Sequence, residues 1–386
     1  MSLPVYLDYN ATTPLEPAVR EAMLPWLSTQ FGNPSSRHAY GRAARQALDM
    51  ARQQVAAAVN AHPTEVVFTS SGSEANNLFI KGAAGSRPAG LLAISAIEHP
   101  CVLRPARQVL RRGWRLRQVA VDAQGVVDDA DFVLALQDKP DLVSIMLANN
   151  ETGALQPVAD LAERLAEKTQ AWFHSDAAQA LGRLPLDFRA LNKAGLHALT
   201  LSAHKTGGPK GAAALIVDKR VELEPLVAGG GQERDLRAGT ENMAAIVGFG
   251  VAATLAVAAL ERYRAHVLAL RHQLENGLSA LGATLFSQGS ERLPNTVYFA
   301  FPRLDGETLV GYLDQQGFAV ASGAACSSHH GQASHVLQAM GVVPEIAQGA
   351  VRVSLGMGLD AQIIADFIQI LRSTVKRLTD LQALAG

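Results

Sequence analysis

Between Thr64 and Asp218 the chain alternates short, β-prone apolar runs with longer amphipathic ones, and that rhythm limits the possible folds more than any other feature. The apolar runs are 66–70, 91–97, 116–121, 142–147, 171–175, 198–202 and 212–217. Several are apolar almost throughout, as strands covered on both faces must be. The stretches 73–84, 100–112, 129–137 and 158–169 carry helical spacing instead. Alternation of this kind requires crossover connections, so an α/β fold around a mainly parallel, doubly wound sheet of seven strands is expected. Ligands of such sheets gather beyond the carboxyl ends of the strands. The residues that follow each run are therefore the informative ones.

Three strand ends carry chemistry. After the first run, SSGSE at 70–74 opens a helix, where Gly72 and Ser73 leave unpaired N–H groups and the helix dipole favours an anion. A phosphate suits that place, although Ser73 is equally well read as a helix cap. Asp176 follows the fifth run, where a carboxylate needs a cationic or N–H partner; one use is to keep a pyridine nitrogen protonated, and a plain helix cap is the other reading. The sixth run leads into LSAHKTGGPKG at 201–211, with Ser202 and His204 as phosphate donors and Lys205 as a primary amine beside glycines. Only eight lysines occur in the chain, and a partly desolvated one becomes a nucleophile and a base. A phosphate cradle, a pyridinium partner and a Schiff-base lysine together are what pyridoxal 5′-phosphate (PLP) requires.

Beyond residue 260 the pattern changes to a long helix at 261–281, strands at 283–286, 295–301 and 351–354, and helices at 307–316 and 361–381. This implies a large unit over 15–258 and a smaller α+β unit made of 1–14 and 259–386. The 34 basic residues against 35 acidic ones leave no basic face for nucleic acid. Residues 243–260 lack charge but are rich in Ala and Gly and bracketed by Glu241 and Glu261, so a buried helix is expected there and no membrane span. Two cysteines make no disulfide framework, and the first residues show no basic and apolar leader, which together suggest a cytoplasmic protein.

The motifs, in order, are YLDYNATTP at 6–14, GNPSSR at 32–37, SGSEANN at 71–77, EH at 98–99, NNETG at 149–153, DAAQ at 176–179, SAHK at 202–205, RAGT at 237–240, SGAACS at 322–327 and RVSL at 352–355. Over nearly its whole length the chain resembles the cysteine desulfurases of the NifS/IscS type, PLP enzymes of the aspartate-aminotransferase fold. That resemblance implies that Lys205 carries the cofactor and that Asp176 pairs with its pyridine nitrogen. It implies that His99 stacks on the ring, that Gln179 reaches the phenolic oxygen, and that Gly72, Ser73, Ser202 and His204 hold the phosphate. Thr240 would reach the phosphate of a neighbouring subunit, making a homodimer. Asn150 and Arg352, with Asn33, would bind the carboxylate of an L-cysteine substrate, for which a guanidinium fork is suited. Without the resemblance, His99 reads as a strand end before Pro100, and Arg352 as a surface cation.

Cys326 narrows the chemistry. Its small, polar, glycine-flanked surroundings suggest an exposed loop and a thiolate able to act as a nucleophile, with His329 and His330 close by in sequence. Cys101, on a helical pattern before Val102 and Leu103, reads instead as a small buried hydrophobe. The resemblance implies that Cys326 takes sulfur from L-cysteine as a persulfide and passes it to an acceptor protein, an iron–sulfur scaffold or another persulfide acceptor. Selenocysteine lyase, another PLP enzyme of this fold, and a scaffold with a vestigial site are the alternatives.

Overall fold

The computed structural model describes residues 3–323 and 333–385. The chain opens with a short strand β1 (Val5–Tyr6) and two helices, α1 (Pro17–Ser28) and α2 (Ala39–Ala58). The alternating region follows as β2 (Val66–Thr69), α3 (Gly72–Gly85), β3 (Leu91–Ser95), α4 (Pro100–Val109), β4 (Arg115–Val119), α5 (Asp129–Gln137) and β5 (Leu142–Ser144). It continues with α6 (Val158–Lys168), β6 (Trp172–Asp176), α7 (Phe188–Ala194), β7 (Ala198–Ser202) and β8 (Ala213–Val217). Next come α8 (Met243–Ala258), α9 (Leu260–Ala280), β9 (Thr284–Leu285), β10 (Thr296–Ala300), α10 (Gly306–Gln315), β11 (Phe318–Ala319) and β12 (Ala321–Ser322). The chain closes with α11 (His335–Ala339), α12 (Pro344–Ala347), β13 (Ala350–Ser354) and α13 (Ala361–Ala385).

Seven strands form one sheet in the order β2-β8-β7-β6-β5-β3-β4. All neighbours are parallel except β8, which runs antiparallel to both β2 and β7. This is the expected α/β sheet. Side chains alternate across it with period two. Phe68, Ala93, Val143, Phe173, Leu199 and Ile216 pack on one face, towards Leu48 and Val55 of α2 and Phe249 of α8. Val67, Leu92, Ile94, Trp172 and Leu215 pack on the other, against Phe79 of α3 and Val102 of α4. Removing such side chains from water on both faces is the main stabilising contribution, on the order of 1.5–3 kcal/mol each.

Several boundaries differ from the sequence expectation. The runs 91–97 and 142–147 leave the sheet at Ser95 and Ser144 although they stay apolar. Past Ser144 the backbone still donates to β6, Ile145 N–H to His174 O and Leu147 N–H to Asp176 O, before turning at Asn149. Asn149 Oδ1 accepts from the N–H groups of Glu151 and Thr152, which makes that turn. The run 171–175 shifts by one residue, so Asp176 is itself the last strand residue. The helical stretch 100–112 ends at Val109 and passes through a 3₁₀ turn to Gly113, whose φ of 85° a glycine adopts without strain.

A second sheet, β12-β13-β10-β9, is antiparallel. Phe299, Val351 and Val353 pack there with Leu270 and Leu274 of α9 and with Phe367 and Leu371 of α13. The amino-terminal strand pairs with β11, and Asp8 bridges to Ser354, so the first residues run alongside β13. The uncharged stretch forms α8, which is largely buried; at Gly250 a Cβ would lie 2.8 Å from the Ala51 Cα, so glycine is what lets α8 and α2 approach. Among the described residues no single helix is long and apolar enough to cross a membrane, and α8 and α9 meet at a 69° bend.

Candidate active site

The parallel strands end on one side of the large sheet, and the polar residues that follow them converge there. Ser71 caps α3 by accepting from the Glu74 N–H at 3.1 Å. This leaves the first-turn N–H groups of Gly72 and Ser73 pointing out of the helix start. Beside them lies the Ser202 hydroxyl, 2% exposed as a residue and without a hydrogen-bond partner among the described residues. A Cβ placed on Gly72 would sit 3.7 Å from Ser202 Cβ and 3.9 Å from its Oγ, filling the space in front of that hydroxyl. His204 adds a ring whose Nδ1 is 3.2 Å from Thr12 Oγ1. Burial, helped by Lys205, Lys210 and Arg183, pushes this imidazole down to about 4, so it is neutral at pH 7.

Asp176 is buried at the end of β6. Its Oδ1 accepts from the Ala178 N–H at 2.9 Å and its Oδ2 from Asn76 Nδ2 at 2.6 Å. His99, the residue before α4, has Nδ1 3.1 Å from the Cys101 N–H. Burial lowers its basicity, with the Asp176 carboxylate working in the opposite direction. Cys101 is not a core residue, contrary to the sequence reading. It sits in the first turn of α4, and that turn faces the strand ends, placing Sγ 3.0 Å from Asn76 Nδ2 and 4.0 Å from Asp176 Oδ2. Burial pushes the thiol up to about 12, so it stays protonated. Glu98 is fully enclosed, and burial moves its carboxyl well above the usual range while Oε1 accepts the Met146 N–H at 2.6 Å.

Asn10 ties the two sheets together at this point. Lys205 Nζ donates to Asn10 O at 2.5 Å and to Ala11 O at 3.0 Å. The Gln179 amide donates to the same Asn10 carbonyl at 3.0 Å, and Gln179 Oε1 accepts from Arg183. Asn10 Nδ2 reaches Asn150 O at 3.1 Å and Thr296 Oγ1 at 2.9 Å. Arg352, in the middle of the second sheet on β13, donates to the same Asn150 carbonyl at 2.9 Å and to Asp8 Oδ1 at 2.6 Å. At 6% exposure Arg352 is no surface cation, and His99 is no mere strand end. Beside Asn150, the buried Glu151 accepts from Tyr298 at 3.2 Å and from Ser334, and burial raises its carboxyl.

The structure therefore brings together Gly72, Ser73, His99, Asn150, Asp176, Gln179, Ser202, His204, Lys205 and Arg352. It does not join Asn33 and Thr240 to them. Asn33 is exposed and its Oδ1 caps the Ser35 N–H at 2.9 Å. Thr240 is exposed, and no hydrogen bond among the described residues links it to the cradle of its own chain. Cys326, His329 and His330 lie outside the described residues. Sequence reasoning missed Asp8, Asn10, Asn76 and Arg183 as individuals. Three of them stand in or beside motifs already singled out, and the missing signal was the pairing, with partners 100 to 344 residues away.

A model of the aminotransferase class-V family matches residues 5–366. The chain belongs to that family. The cysteine desulfurase IscS of Dictyoglomus turgidum is 38% identical over 382 residues, covering 98% of this chain and 96% of that protein. A solved NifS-like protein superposes with a TM-score of 0.90 at 35% identity, covering 97% of this chain and all of the other. The structure of SspA in complex with cysteine superposes at 0.78 with 33% identity, over 91% and 98% of the two chains. Members of this aminotransferase family depend on PLP, and the residues here fit it. An unpartnered buried hydroxyl facing a glycine at a helix start suits a phosphate. A buried carboxylate and a lysine amine at neighbouring strand ends suit the ring nitrogen and the aldehyde.

Proposed function

We infer that the chain is a PLP-dependent cysteine desulfurase, converting L-cysteine to L-alanine and passing sulfur onward as a persulfide on Cys326. The observation that carries this reading is the link from amine to guanidinium. Lys205 Nζ binds Asn10 O, the Asn10 amide binds Asn150 O, and Arg352 binds that same carbonyl. An amino acid whose amino end lies by Lys205 and whose carboxylate lies by Arg352 would engage the two ends of this chain of hydrogen bonds. Relatives carrying the name cysteine desulfurase cover almost all of the chain, which supports the same reading.

When bound, PLP supplies an electron sink for the bonds at the substrate's α-carbon. Asp176, held by Ala178 and Asn76, would pair with the ring nitrogen. Ser202, His204 and the first turn of α3 would hold the phosphate. Arg352 and Asn150 orient the substrate carboxylate, with Asp8 steadying the guanidinium. Lys205 removes the α-proton as general base and later returns one. The Cys326 thiolate attacks the substrate sulfur, so that an S–S bond forms as the substrate C–S bond breaks. The net change balances: a Cys326 thiol and L-cysteine become a Cys326 persulfide and L-alanine. The terminal sulfur then moves to an acceptor protein, an iron–sulfur scaffold or another persulfide acceptor. In this reading residues 15–258 carry the cofactor, and 1–14 with 259–386 carry Arg352 and Cys326. An exposed Thr240 is consistent with completing the phosphate site of a second copy in a homodimer.

The test combines two variants. Borohydride reduction of the wild-type holoenzyme is expected to leave a pyridoxyl group on Lys205, and Lys205→Ala none. Cys326→Ala is expected to lose both the persulfide and the stoichiometric alanine. Desulfuration of cysteine by Cys326→Ala at the wild-type rate would refute the assignment.

A further inference from the structure

Cys101 is a second thiol in the site, and the desulfurase chemistry has no use for it as a nucleophile. Its geometry suggests another task. Sγ lies 2.8 Å from His99 Nδ1 and 3.0 Å from Asn76 Nδ2, and the Ser73 hydroxyl also bonds to it. The Cys101 backbone N–H points at the same His99 Nδ1 from 3.1 Å. A nitrogen that accepts from a backbone N–H presents a lone pair, so the ring proton belongs on Nε2. The thiol, protonated because it is buried, supplies a second donor to that lone pair. The charged and titratable groups acting on His99 are Asp176, Lys205, His335 and Arg104.

Asn76 extends the arrangement. Only its NH₂ group can face the Asp176 carboxylate, and the Nδ2 that donates to Oδ2 at 2.6 Å also donates to the Cys101 sulfur. Its Oδ1 has no partner among the described residues although the side chain is fully buried. A buried amide left half satisfied carries an energetic cost. Here its orientation is set by the half that is used, between a carboxylate and a thiol.

We propose that Cys101 is a positioning residue: its thiol locks His99 as the Nε2–H tautomer and, through Asn76, holds the Asp176 carboxylate in place for the cofactor. The inference rests on the PLP-enzyme reading. It differs from that reading in its readouts, which are the histidine tautomer and cofactor affinity rather than turnover.

The experiment compares wild type, Cys101→Ser, Cys101→Ala and Asn76→Ser. PLP affinity of each apoenzyme is measured by equilibrium dialysis, and ring ¹⁵N shifts are recorded for ¹⁵N-histidine-labelled holoenzyme, with His99→Gln assigning the signal. Wild type is expected to show His99 Nδ1 unprotonated. Cys101→Ala is expected to bind PLP about 10-fold more weakly, the effect of losing one net hydrogen bond, and, with only the backbone N–H left to hold Nδ1, to show a measurable population of the Nδ1–H tautomer. Cys101→Ser, which keeps a donor and an acceptor, is expected to stay within about 3-fold of wild type, and Asn76→Ser to weaken PLP binding while leaving the His99 tautomer intact. A protonated Nδ1 in wild type, or Cys101→Ala with unchanged affinity and unchanged ring shifts, would overturn the proposal. Should Cys101→Ala not fold, Cys101→Val, which keeps the bulk of the side chain but carries no donor, is read in its place. A wild-type apoenzyme that takes up no PLP would overturn the functional reading as well.

Discussion

His174 sits under the site, fully buried on β6. Its Nδ1 is 2.9 Å from Ser144 Oγ and its Nε2 2.9 Å from Thr200 Oγ1, and its ring stacks on Phe79 with centroids 4.7 Å apart. Burial pushes it from 6.5 down to about 3. Above pH 6.5 the ring is neutral both folded and unfolded, and it contributes no pH dependence. Below 6.5 the unfolded chain takes up a proton that the folded one refuses, so stability falls by about 1.4 kcal/mol per pH unit until the folded value is reached. From pH 7.5 to 5.0 this single group therefore removes roughly 2 kcal/mol. His204, His99 and His197 are shifted in the same direction and add to the loss in any variant that retains them. The informative quantity is thus the difference between wild type and His174→Gln, which cannot titrate. Urea unfolding of the two proteins at pH 7.5 and 5.0, at one fixed protein concentration, should show the variant less stable at pH 7.5 but losing about 2 kcal/mol less on acidification. Equal losses in the two proteins would refute the reasoning.

Other outcomes follow from the same geometry. Ser202→Ala should weaken PLP binding by about 10-fold or more, through loss of a hydrogen bond to a charged group, yet leave apoenzyme stability within about 0.5 kcal/mol. Dialysis and thermal unfolding check the two halves. Arg352→Lys should raise KM for L-cysteine about 10-fold or more, because an ammonium cannot reproduce the fork that holds Asn150 and Asp8, and steady-state kinetics reads this. Glu233→Gln should cost about 3 kcal/mol in denaturant unfolding. That carboxylate is buried, accepts two hydrogen bonds from Arg52 at 2.6 and 2.8 Å, and also accepts the Phe68 N–H at 2.8 Å.

Strands were legible where a run was apolar from end to end, as in β8, and α5 matched its expected limits. Strand ends were harder. The stretch 145–147 is as apolar as 142–144, and only the turn made by the Asn149 side chain shows why the ladder stops. The helices before residue 64 were not legible because α2 buries mostly small residues, Gly41, Ala44, Ala51 and Ala56, with Leu48 and Val55 as its larger apolar contacts. Cys101 was read as core because helical spacing says nothing about which side of a first turn meets the strand ends.

From its residue order alone, this chain specifies alternating strands and helices, a charge-poor sheet interior, and an amine, a carboxylate and phosphate donors at strand ends. Those are local properties, set by side-chain period and by backbone groups that a helix start leaves unpaired. Which strands neighbour one another, and that Asp8 meets Arg352 across 344 residues while Asn10 joins Lys205 to Asn150, was decided only by the packed molecule. Such pairings depend on loop closure and on the shared burial of two sheets, and no window of sequence contains both partners.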